Sequence, residues 1–131
     1  MRGCRWWGIP GGLARVTIAR AKCDQKWGTA KRVCTIAANA TYSRTAKVAA
    51  ALRVRTVARA KCTATLKGAA RLRCTRAANA RYTRAARTQA AVRTRTIARA
   101  RCTLKKGAAR KVCASKANAR YRAAITRAAR R

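Results

Sequence analysis

A chain of 131 residues with a formal net charge of +34 has room for one small domain or a short array of repeats. It has no means of balancing its own charge, since 35 Lys and Arg face one acid, Asp24, and there is no His. Acid–base pairs and Ser-His-Asp or Cys-His sets are thereby excluded, and we expect neither an enzyme nor a cofactor.

Met1–Gly12, MRGCRWWGIPGG, stands apart and reads as an N-terminal arm carrying Cys4, the Trp6–Trp7 pair and Pro10. Its apolar stretch is short and broken, which argues against a signal peptide. The Trp pair reads as an apolar plug, with base stacking as the alternative. No later stretch has the uninterrupted apolar length of a membrane span.

From Leu13 onward the chain repeats itself, with units at 13–52, 53–92 and 93–131. Cys23, Cys62 and Cys102 correspond, as do Gly28, Gly68 and Gly107, then Cys34, Cys74 and Cys113. Further on, Asn39, Asn79 and Asn118 correspond, and so do Tyr42, Tyr82 and Tyr121. Such self-similarity implies one supersecondary unit, copied and stacked on itself. The single length change falls between the first Cys and the Gly (DQKW, TATLK, TLKK), so a turn is expected there.

The type of element has two readings. Ala richness and the lack of Gly or Pro between turns favour helix. The alternation of charge favours strand: Arg53, Arg55, Arg59 and Lys61 sit at odd positions against Leu52, Val54, Thr56, Ala58 and Ala60. Arg93, Arg95, Arg99 and Arg101 repeat the pattern. The expected fold is therefore mainly β. It would consist of three Cys-stapled hairpins with an uncharged inner and a cationic outer face, joined by short helical connectors at Ser43–Ala51 and Thr83–Ala91. Antiparallel α-helical hairpins are the alternative, because they share the same symmetry about the Gly.

Six of the seven Cys fall into the pairs Cys23/Cys34, Cys62/Cys74 and Cys102/Cys113, each spanning the turn. Disulfides fit this spacing, and each would contribute about 3 kcal/mol by closing a short loop. Zinc is the rival, although there is no His and no Cys-x-x-Cys, and free buried thiols are the third reading. Disulfides imply an oxidising compartment or a particle oxidised after assembly. Cys4 is left over and could link two copies.

Cations in this excess point to a polyanionic partner. On a strand, alternate Arg would stand roughly 6.5–7 Å apart, about twice the per-strand phosphate rise of 3.4 Å. The expected contacts to DNA or RNA phosphates are Arg53, Arg55, Arg59, Lys61, Arg93, Arg95, Arg99 and Arg101, supported by Arg120 and Arg122. Arg outnumbers Lys 25 to 10, which suits bidentate phosphate contacts. The Asn and Tyr of each unit read as turn-fixing and core-anchoring residues. In composition alone the chain is similar to protamines and to Ala/Lys-rich linker-histone-like proteins. That similarity implies DNA condensation, while the Cys and Tyr repeat departs from the Ala/Lys-rich type. The function expected is sequence-independent binding and packing of nucleic acid by multiple copies, in a virion interior or a nucleoid. The alternative is a basic cement protein set against acidic proteins of a large assembly.

Overall fold

A computed structural model describes residues 11–130. The readings placed on Cys4, Trp6, Trp7 and the rest of Met1–Pro10 lie outside the described residues. The remainder is four α-helices: α1 (Gly11–Cys23), α2 (Gly28–Thr65), α3 (Gly68–Cys102) and α4 (Gly107–Ala129). There is no strand among the described residues.

The β expectation is therefore corrected, and the helical-hairpin alternative is the one that fits. Between the turns the chain has no Gly and no Pro. Its Ala, Arg, Lys and Leu are the residues that lose least on entering a helix. Thr, which looked like strand material, is accommodated by turning its hydroxyl back onto the helix. Thr56 Oγ1 donates to the Leu52 carbonyl at 2.9 Å and Thr96 Oγ1 to the Val92 carbonyl at 2.9 Å. The expected connectors at Ser43–Ala51 and Thr83–Ala91 are not separate pieces but lie inside the continuous helices α2 and α3. The unit boundaries at 52/53 and 92/93 likewise fall in mid-helix. With 38 and 35 residues, α2 and α3 are rods of roughly 50–60 Å.

Each turn closes in the same way. An extended residue (Trp27, Lys67 or Lys106) is followed by a Gly with φ of 55°, 61° or 59°, and the next helix begins there. Such backbone suits Gly, which lacks the Cβ that crowds the left-handed region. The extra residue in TATLK is absorbed by continuing α2 past Cys62 to Thr65, whereas α1 and α3 stop at their Cys.

Disulfides staple all three turns: Cys23–Cys34, Cys62–Cys74 and Cys102–Cys113, with Cα separations of 5.5, 5.8 and 5.6 Å. The zinc and free-thiol readings of these six residues end there. Among the described residues the helices pack in chain order: α1 lies on α2, α2 on α3 and α3 on α4. Cys23 pairs near the start of α2 and Cys102 near the start of α4, while α2 and α3 lie antiparallel. Both short helices therefore lie at the end formed by the start of α2 and the close of α3. The opposite end, around Cys62–Cys74, is a two-helix arm.

The seams are built from small side chains. Ala38, Ala78 and Ala117 are buried at equivalent places one turn past the second Cys of each unit. The bulkiest side chains that are fully buried are Cys23 and Cys62. Meanwhile Val54, Val57, Leu72 and Val112 are all more than half exposed. At about 25 cal/mol per Å2 of apolar surface, seams of Ala and Cys contribute little burial, so much of the restraint rests on the staples.

Candidate polyanion interface

Among the described residues one ion pair forms, Asp24 Oδ1 to Lys31 Nζ at 3.2 Å, in the α1–α2 turn with both side chains well exposed. An exposed pair of this kind is worth about 0–1 kcal/mol, and it uses the chain's only acid. No other described Lys or Arg has an acidic side chain within the chain to meet.

The helices redistribute the ten sequence-predicted cations. At about 100° per residue, positions two apart stand on nearly opposite sides of a helix. Arg53, Arg55, Arg59 and Lys61 are therefore spread around α2 rather than aligned, and Arg93, Arg95, Arg99 and Arg101 are spread around α3 in the same way. The evenly spaced row expected on a strand face does not exist. Arg53, Arg59, Lys61, Arg99, Arg101, Arg120 and Arg122 are exposed.

The other three are held within the chain. The Arg55 guanidinium lies over the Tyr82 ring at 4.2 Å from its centroid, and Arg95 lies over Tyr121 at 3.7 Å. The two stacks are one motif: an Arg seven residues before the first Cys covers a Tyr eight residues after the second. In the first unit that Arg is replaced by Val16, which is buried. Arg93 Nε donates to Thr41 Oγ1 at 2.9 Å, linking the third unit to the first.

The recurrent Asn residues do not share one environment. Asn39 Oδ1 accepts from Arg20 Nε at 2.7 Å and also from Arg20 Nη2. Asn79 Oδ1 is buried with no hydrogen-bond partner. Several exposed cations were not singled out from the sequence, among them Arg71, Arg73, Arg76, Arg81 and Arg84 along α3. Their main signal was composition: Arg71 and Arg73 alternate about Leu72, but Arg76, Arg81 and Arg84 break the period.

Two grooves accompany the outer hairpins. One, of about 460 Å3, runs between α3 and α4 with Ala91, Ala98, Ala117, Ala124 and Tyr121 in its walls and Arg87, Arg95, Arg120 and Arg127 around it. The other, of about 520 Å3, lies between α1 and α2 beside Val16, Ala19, Ala38 and Tyr42, with Arg15, Lys22 and Lys26 around it. No group of three or more metal-binding side chains occurs among the described residues, and no helix there is long and apolar enough to cross a membrane. Compared with protein-family models, curated proteins and solved structures, the chain matches none of them.

Proposed function

We propose that the chain is a non-enzymatic architectural protein that binds the phosphate backbone of DNA or RNA without reading its sequence, and packs or coats it. The observation that carries this reading is the charge set: 35 cations and one acid, the acid already paired with Lys31. Binding would proceed by release of counterions condensed on the nucleic acid, with many weak Arg–phosphate contacts adding together. The exposed members of the predicted set are the residues assigned to it: Arg53, Arg59, Lys61, Arg99, Arg101, Arg120 and Arg122. Because a helix sends them to several sides, one molecule can touch more than one duplex, which suits packing better than tracking a single groove.

The test is a salt titration of binding to a random-sequence duplex, set beside an acidic polypeptide of equal charge. A steep linear fall of log K with log salt, identical for unrelated duplex sequences and stronger than for the polypeptide, supports the reading. Equal or tighter binding of the polypeptide moves the assignment to a cement protein for acidic protein surfaces. Single Arg→Ala changes at Arg59 or Arg99 should each weaken duplex binding a few-fold, by the same factor for every sequence, and lower the salt slope by about one.

A further inference from the structure

We infer that the groove between α3 and α4 is a binding site for unpaired nucleobases, so that the protein holds single-stranded nucleic acid by its bases as well as by its backbone. The inference rests on the proposed function, and adds to it a site with its own ligand chemistry.

The walls of this groove are largely apolar, with Ala91, Ala98, Ala117 and Ala124 among the side chains that form them. The Tyr121 ring sits among them with the Arg95 guanidinium stacked at 3.7 Å. A planar guanidinium on an aromatic ring is the kind of surface on which bases stack, and such stacking does not depend on base identity. Arg87, Arg120 and Arg127 stand around the same groove, and no carboxylate side chain is on hand to occupy them. A strand could thus lay bases against the apolar walls while its phosphates meet the surrounding Arg. A duplex cannot do this, because its bases are already stacked. At about 460 Å3 the space suits one or two bases rather than a long segment.

The groove is also built twice. Ala98, Ala117 and Tyr121 correspond by repeat position to Ala19, Ala38 and Tyr42 of the α1–α2 groove. There Val16 replaces the stacked Arg, and Arg15, Lys22 and Lys26 supply the charge. An apolar channel with a cationic surround at both hairpins is charge-complementary to an anion that carries planar apolar groups. An acyl chain would satisfy the walls but leave the Arg–Tyr platform unused.

The experiment compares the wild-type chain, oxidised, with three probes at one salt concentration. They are a short oligothymidylate, an abasic strand of equal length and charge, and a duplex. A variant with Ala91→Leu and Ala124→Leu fills the groove at constant charge. The expected result is about tenfold tighter binding of oligothymidylate than of the abasic strand. That preference should be lost in the filled variant while duplex affinity stays within about twofold. A bromouracil-bearing strand should photocrosslink to wild-type chain at Tyr121, which keeps the test independent of how the variant folds.

Equal binding of the two strands, or crosslinks confined to the exposed Trp27, would overturn the inference and leave backbone binding standing. Tighter capture by anionic phospholipid vesicles, lost on filling the groove, would overturn it in favour of an acyl ligand. Failure of the duplex itself to bind would instead remove the proposed function on which the inference rests.

Discussion

Two asparagines at one repeat position show how little residue identity says about what a side chain does. Asn39 holds the Arg20 guanidinium through its carbonyl oxygen, in an exposed setting. Asn79 has its side-chain Oδ1 buried and unpaired. A lost exposed hydrogen bond costs little, while an orphaned buried acceptor carries a desolvation penalty of about 1–3 kcal/mol. Asn39→Ala should therefore lower stability by less than about 1 kcal/mol, and Asn79→Ala should leave it unchanged or raise it. Thermal unfolding of the two variants side by side checks the sign. A clear loss at Asn79 with none at Asn39 would show that the burial and pairing described for these residues are wrong. The Arg–Tyr stacks belong to this scale too. Their signal was present in the sequence as a mirrored pair about the turn, Arg55 with Tyr82 and Arg95 with Tyr121, but the alternation of charge drew those Arg into a solvent-facing row.

At the level of elements, the turn and the Cys pairing were legible, because Gly, Cys and spacing report them whatever the backbone between does. Helix against strand was not. Alternation decides in favour of strand only when one face must be buried. In α2 the buried face is met by Cys62 with help from Ala and Val, so Arg53 and Lys61 could fall anywhere else on the circle. The Arg93–Thr41 bond was beyond reach for another reason, since it joins the first unit to the third. Because the seams bury so little, the staples should dominate the energetics. Replacing Cys62 and Cys74 together by Ser removes the constraint on a 12-residue separation, about 3 kcal/mol in the chain-entropy treatment. For a chain of this size that corresponds to a melting point lower by roughly 10 °C. Hydrogen exchange should accelerate most in the two-helix arm, which has no third helix against it. Uniform acceleration over all four helices would contradict the chain-order packing.

For the whole molecule, charge acts against the fold as well as for the partner. Nearly all the cations repel one another, and the one ion pair is exposed and weak. Screening should therefore help this protein where it would weaken one held together by ion pairs. Raising salt from about 0.01 M to about 0.1 M shortens the screening length from about 30 to about 10 Å. The melting temperature of the free chain should climb by several degrees over that range, as read by circular dichroism. Short polyphosphate should produce the same rise at far lower ionic strength, by binding the folded state. A melting point that falls with salt would mean that unrecognised attractive pairs hold the chain together.

Because the boundaries between units fall in the middle of α2 and α3, the architecture has no internal end-stop. Inserting another unit of some forty residues would add one more long rod and one more staple without altering the existing turns. A rod inserted between α2 and α3 would part them and become the neighbour of each, and the Arg93–Thr41 bond that now joins them would be lost. The protein can thus be lengthened or shortened by in-frame duplication or loss of whole units, its cationic reach scaling with copy number.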